Sequence, residues 1–234
     1  MLTFFHVADL HCSKARARGC LKVLETLAQD AERGCDGIFV SGDFWDGIMT
    51  NTVAFADYIS AMKKIIKKTA VYMIYGTPSH ETAGSLEVFK ALGAHVYDTP
   101  TFSDVGKFEI VAIPEPRKVD YLPYKKSKQS IEDCINDRMK TFLESIPEKN
   151  NKPRIVMYHG EIAGCSYENG VACSSKIAIK PDQLKAINAD YIACGHIHAP
   201  IKVPGVENCY YCGSMPPKNY GESLDSGYNK IVID

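Results

Sequence analysis

No apolar run in this sequence approaches the roughly 18 residues that a bilayer-spanning helix needs, which argues against a helical membrane protein. The opening MLTFFHVADLH has no basic leader and meets an aspartate after eight residues, so it does not read as a signal peptide. Compositionally biased tracts and fixed-period repeats are also missing, which sets aside disordered arrays and solenoids. Neither sign of charge is in excess: 27 basic against 28 acidic side chains leave a formal charge of −1. A nucleic-acid partner would therefore have to be attracted by local charge. The nine cysteines are odd in number and lack the spacing of a small disulfide scaffold. No disulfide framework is expected, and a reducing cytoplasm is the expected compartment.

What is present suits one soluble domain over residues 1–234, with 45% apolar and 24% charged residues. Short apolar runs alternate with helical stretches, which predicts α/β layering. Five runs have the length and β-branched or aromatic content of buried strands: Phe4 to Ala8, Gly37 to Ser41, Val71 to Tyr75, Ile155 to Tyr158 and Tyr191 to Cys194. Helices are predicted near 16–33, 50–67, 82–92, 129–146 and 181–187. Three further strands are predicted at 201–203, 209–212 and 228–232. The proline-rich, basic stretch 114–128 reads as a surface loop.

The polar residues fall where each of the five runs stops. The first ends at Asp9-Leu10-His11 and the second at Gly42-Asp43-Phe44-Trp45-Asp46. The third ends at Gly76-Thr77-Pro78-Ser79-His80-Glu81, the fourth at His159, and the fifth at Gly195-His196-Ile197-His198. Open α/β sheets gather functional groups at the carboxyl ends of their strands, so these segments can meet in one cleft. In extended chain, residues i and i+2 point the same way, so Asp9 with His11, and His196 with His198, can each present two ligands together. Gly42 and Gly195 let the backbone turn where a Cβ would obstruct it. Carboxylates and imidazoles without thiolate suit Mn(II), Fe(II) or Zn(II). The set is too large for one ion and suits two, which can clamp a phosphoryl group and activate water. A lone buried histidine is more often a core residue than a ligand, and His6 and His95 are assigned to that class. Cys209 and Cys212 form a Cys-x-x-Cys without a second pair, and read as structural strand cysteines.

These motifs resemble the calcineurin-like metallophosphoesterases. Within that superfamily, DYIACGHIHAP (190–200) and CGSMPPKNYGE (212–222) are similar to the SbcD-type DNA double-strand-break repair nucleases, relatives of the eukaryotic meiotic-recombination nuclease. The resemblance implies two β-sheets sandwiched between helices in four layers, and Mn(II)-dependent exonuclease and endonuclease cleavage of DNA in repair or recombination. It implies that Asp9, His11 and His198 hold one ion, His159 and His196 the other, and Asp43 bridges them. His80 would act on the leaving oxygen without being a ligand, and Asp46 would buttress the rim. The family's third motif carries an asparagine ligand that is missing here. Counting back from His80 puts Ser79 in its place, either as a weak ligand or simply as a residue that shapes the turn.

SbcD-type nucleases continue into a DNA-capping domain and helices that dock an SbcC-type ATPase. This chain ends at Asp234, so both segments are absent from it; a shortened chain and a minimal nuclease fit equally. Relatives often form homodimers through helices near the second and third motifs, and the amphipathic 52–66 segment is the counterpart. For DNA contact the best stretch is Arg117, Lys118, Lys125, Lys126 and Lys128 with Tyr121 and Tyr124, whose plain alternative is a solvated loop. A phosphatase or cyclic-nucleotide phosphodiesterase remains the main rival on the same scaffold, and a non-catalytic DNA-binding module a lesser one.

Overall fold

The computed structural model describes residues 1–49, 51–217 and 227–234. Its first half runs β1 (Leu2–Val7), α1 (Ala17–Glu32), β2 (Gly37–Ser41), α2 (Thr52–Ile66), β3 (Val71–Ile74), α3 (Glu87–Ala91) and β4 (His95–Tyr97). The second half runs β5 (Thr101–Asp104), β6 (Glu109–Ile113), α4 (Lys118–Tyr121), a 3-10 turn at Leu122–Tyr124, α5 (Ile131–Ser145), β7 (Arg154–His159), α6 (Pro181–Ala186), β8 (Tyr191–Gly195), β9 (Ile201–Lys202), β10 (Cys209–Tyr211) and β11 (Asn229–Ile233).

The five central runs are apolar throughout because both of their faces are buried. Along β2, Ile38 and Val40 pack beneath α1 and α2, whereas Phe39 faces the other way. Along β7, Val156 and Tyr158 go to the α5 and α6 side, and Ile155 and Met157 to the opposite side. Phe4, Phe39, Tyr72, Phe108, Met157 and Tyr191 thus meet in a shared layer between two sheets. Full burial of each such side chain contributes about 2–3 kcal/mol. One sheet has the order β11-β1-β2-β3-β4 and the other β5-β6-β7-β8-β10-β9. The inner strands of each are parallel, with β11, β5 and β9 antiparallel at or near the edges. Helices cover both outer faces, which is the expected four-layer α/β sandwich.

Several expectations need correction. The 114–128 stretch is not plain loop, since it forms α4 and the 3-10 turn. The helix expected over 82–92 shrinks to Glu87–Ala91, because Gly84 turns at φ +83 and the Leu86 N–H is donated to the Tyr75 hydroxyl. Strands β4, β5 and β6 were not foreseen. His95 is not core: it is exposed on β4, its ring stacked 4.8 Å from that of Tyr72. His6 is fully buried, with its Nδ1 3.1 Å from the Tyr191 hydroxyl across the two sheets. The nine cysteines are free thiols, and Cys209 Sγ lies 3.4 Å from Cys194 Sγ. Among the described residues no helix is long and apolar enough to cross a membrane. Residue 50, expected to open α2, and residues 218–222 of the C-terminal motif lie outside the described residues. The preceding part of that motif is tied to the first one by Arg16, whose guanidinium donates to the carbonyls of Leu10, Pro216 and Pro217.

Candidate metal centre

Strands β1, β2, β3, β7 and β8 all end at one edge of the sandwich, and their following residues turn into a common cleft. The turns use left-handed backbone at non-glycine positions: φ is +54 at Asp9, +46 at His11, +50 at Asp43 and +106 at His196. Such conformations persist only where neighbours over-determine them. Here Asp9 N–H is donated to Gly42 O, His11 N–H to Asp43 O at 2.9 Å, and His196 N–H to the Asp9 carboxylate at 3.0 Å. At Gly42 (φ +86) a Cβ would stand 2.2 Å from His159 Nδ1, and at Gly195 it would stand 2.1 Å from Ser41 O. Both positions therefore require glycine.

Four overlapping donor groups result among the described residues: two are joined through Asp43, as His11/Asp43/His80 and Asp9/Asp43/His159, and two lie on either side of it. Asp9, His11 and His198 offer ligand atoms within 4.8 Å of one another, and so do Glu115, His159 and His196. Asp43 lies between the clusters, with its Oδ2 3.7 Å from His11 Nε2 and 3.6 Å from His159 Nε2. His11 Nε2 and His198 Nε2 approach to 3.1 Å. His80 sits at the rim, its ring 4.7 Å from that of His11 and its Nδ1 3.2 Å from Asp46 Oδ1. Asp46 Oδ1 also lies 3.6 Å from His11 Nδ1. The seven residues Asp9, His11, Asp43, His80, His159, His196 and His198 are therefore brought together, with Asp46 beside them.

Ser79 is not brought in. It is exposed on the turn, and Thr77 occupies the position inside the cleft. The Thr77 hydroxyl is 3.3 Å from His159 Nε2, 3.4 Å from His196 Nδ1 and 3.1 Å from Glu115 Oε2, while its N–H is donated to Asp43 Oδ1 at 2.6 Å. Counting back from His80 fails because the extra residues let the chain pass the cleft two positions earlier. Glu115, absent from the sequence-based set, follows the unforeseen strand β6. The signal was present in Glu-Ile-Val-Ala-Ile followed by Pro-Glu-Pro, an apolar run closed by a metal-binding residue type as the other five are closed by Asp or His.

The ring orientations suit cation binding. His159 Nδ1 is 2.7 Å from Ser41 O, a carbonyl that can only accept, so Nε2 faces the cleft. The Tyr167 hydroxyl donates to Glu161 Oε1 at 2.9 Å and so receives the His196 Nε2–H at 3.0 Å. That leaves the His196 Nδ1 lone pair facing Thr77 and Glu115. Burial pushes the Asp9 carboxyl up to about 7, against His159 and His198. Burial likewise opposes charge on Asp43, but His159, His11 and His80 prevail and hold it well below the usual carboxylate range. Burial disfavours an imidazolium at His159, yet Asp43, Asp9 and Glu115 outweigh this and raise it to about 10. His196 is lowered to about 4 by burial and by His159. Asp9, Asp43 and the largely buried Glu115 thus draw positive charge into the cleft, a demand that divalent ions would meet. The mixed oxygen and nitrogen donors fit such ions.

Glu81 is buried and supports the centre from below. Its carboxylate accepts the N–H groups of Phe44, Trp45 and Gly76 at 2.7–3.2 Å, locking the second strand-end to the third. The basic residues are placed outside the cleft. Arg117 pairs with Asp120 at 2.7 Å and Lys118 with Glu132 at 2.6 Å, while Lys125, Lys126 and Lys128 are exposed. Tyr121 is half-buried, and Tyr124 carries the Arg138 guanidinium 3.9 Å above its ring.

Similar solved structures include GAP50, the anchor in the inner membrane complex of Plasmodium, at 18% identity over 97% of this chain and 79% of that one, with a TM-score of 0.56. A dimetal phosphatase from Danio rerio matches at 12% identity over 92% and 86%, with a TM-score of 0.50. Nuclease MPE of Pseudomonas putida shares 16% identity over 67% and 62%, at a TM-score of only 0.36. Likeness at these identities speaks to fold alone, and the last is too distant to weigh. Residues 2–200 match the calcineurin-like phosphoesterases, and on that match the chain belongs to the calcineurin-like phosphoesterase family.

Proposed function

We propose that this chain is a two-metal phosphodiesterase that cleaves DNA, of the SbcD repair-nuclease type. The observation that carries the catalytic part is Asp43 Oδ2 standing between His11 and His159, so that one carboxylate serves two donor clusters. Two divalent ions held there would neutralise phosphoryl charge and activate a water. Asp9, His11 and His198 would hold one; His159 and His196 would hold the other. Asp43 would hold both, its carboxylate oriented by the Thr77 N–H donated to Oδ1. His80 belongs to neither outer set, although its ring comes within 4.8 Å of the His11 and Asp43 ligand atoms, and it is half-exposed where a scissile phosphate would lie. Asp46 Oδ1 lies 3.2 Å from His80 Nδ1, which orients the ring so that Nε2 would face and protonate the departing oxygen.

The DNA assignment draws on the 190–200 and 212–222 motifs and on the exposed Lys125, Lys126 and Lys128. Reversing those three charges should reduce the salt slope of DNA binding by about one for each phosphate no longer neutralised. A second reading has its own support. Beside His159 and His196 lies a cavity of about 180 Å³ lined by polar groups of Asn136, Glu161, Tyr167 and Gln183, a size that suits a small phosphoester.

Purified protein with Mn(II) should degrade duplex DNA and bis-p-nitrophenyl phosphate, and lose both activities in EDTA. Hydrolysis confined to p-nitrophenyl phosphate or cyclic nucleotides would replace the nuclease reading with the second one. Ion uptake with no turnover of any of these would favour a binding module.

A further inference from the structure

We propose that Glu115 is a direct ligand of the second ion, and that Thr77 and Glu115 together with His159 and His196 complete that site. The inference rests on the two-metal reading above and adds a residue to it. Four donor atoms face one point: Thr77 Oγ1, Glu115 Oε2, His159 Nε2 and His196 Nδ1. Glu115 Oε2 is 3.1 Å from Thr77 Oγ1, 3.5 Å from His196 Nδ1 and 3.8 Å from His159 Nε2. Thr77 Oγ1 is 3.3 and 3.4 Å from the two imidazole nitrogens. Ligands about 2.0–2.2 Å from a common ion lie roughly 3.0–3.6 Å apart, depending on whether the geometry is octahedral or tetrahedral. The observed spacings match that range closely enough for small side-chain adjustments to close the shell.

The backbone explains why Glu115 reaches the cleft. Ile113 pairs with Tyr158 in the parallel register of β6 and β7, which puts the residues after Ile113 alongside His159. The Glu115 N–H is then donated to Tyr75 O at the end of β3, in the other sheet. Glu115 therefore spans the seam between the two sheets at the point where the cleft opens, and its side chain is only 18% exposed. A carboxylate here makes the second site anionic, alongside Asp43 shared with the first. The chemical consequence is a preference for hard divalent cations at the second site and a smaller net positive charge on the loaded centre.

Isothermal titration with Mn(II) on the full chain tests this. The unmodified protein should take up two ions. Glu115→Gln keeps shape and an acceptor oxygen but removes charge, and should weaken the second ion about 10-fold; Glu115→Ala should weaken it about 100-fold or abolish it. In both, the first ion should bind as before, which also shows that the variant is folded. Electron paramagnetic resonance should change from the spectrum of an exchange-coupled pair to that of isolated Mn(II). If Glu115→Gln and Glu115→Ala each bind two ions with parental affinity, Glu115 is no ligand and only accepts the Thr77 hydroxyl. A parental chain that takes up two ions yet hydrolyses no phosphoester would sink the functional reading while the titrations still decide the role of Glu115. Failure of the parental chain to bind any ion would overturn both.

Discussion

At the scale of single residues, the centre separates groups that hold charge from groups that use it. Asp43 belongs to the first kind, because one oxygen faces both clusters and the other is fixed by Thr77. His80 belongs to the second, since its ring lies beside His11 while its Nδ1 faces Asp46 Oδ1 at 3.2 Å. Asp43→Ala is therefore expected to lose bound metal and activity together. His80→Ala should keep its metal, measured by atomic emission, while hydrolysis falls by about 10²–10⁴-fold. Unchanged turnover in the His80 variant would remove it from the reaction. The geometry also explains why Thr77, and not Ser79, faces the cleft. Counting from His80 follows position along the chain, but distance to the cleft is set by the turn, which brings Thr77 inward and leaves Ser79 in solvent.

At the scale of elements, the strand ends act as a set because buried groups tie them to each other. Glu81 accepts three N–H groups from two separate strand-ends. Its carboxyl is pushed up to about 7 by burial and by Asp43, while the Gly76 and Trp45 N–H groups pull it the other way. Glu81→Ala would strand all three buried N–H groups and should lower unfolding free energy by about 4 kcal/mol in urea melts. Gly195→Ala should be similarly disruptive, since its Cβ would meet Ser41 O at 2.1 Å and push β8 away from β2. A Gly195→Ala protein with parental stability and metal content would show that the sheets can yield there. The same scale explains the strands that the sequence does not announce. β4 and β5 are short and only partly buried, so they lack the continuous apolar signature. β6 has it, but the basic, proline-rich segment after it reads as loop and hides Glu115.

At the scale of the whole molecule, stability depends on two sheets staying face to face, and His6 lies in the layer between them. It is fully buried against Tyr191 of the opposite sheet, and burial lowers its pKa to about 3. In the unfolded chain the value is about 6.5. Between these limits the unfolded state binds one more proton than the folded one, so stability rises with pH across this window and is constant above it. The contribution is lost as pH falls below about 6.5, reaching roughly 5 kcal/mol near pH 3. Thermal melts in EDTA should show this slope, and His6→Leu should flatten it between pH 6 and 4. Equal slopes for parent and variant would mean that the acid sensitivity originates elsewhere.

The sequence by itself determined the five buried strands, because runs apolar on both faces must be covered on both sides, while the second sheet as one of the covers was implied only by the family resemblance. It also determined Asp9, His11, Asp43, His80, His159, His196 and His198 as residues at strand ends, since polar groups that close such runs stand out against them. What only the tertiary structure decided is which of them share a cluster, and that Thr77 and Glu115 stand with His159 and His196. Those neighbours come from different sheets and from segments 38 to 119 residues apart. Their spacing is set by the register of β6 on β7 and by the turn after β3, neither of which leaves a periodic trace in the chain.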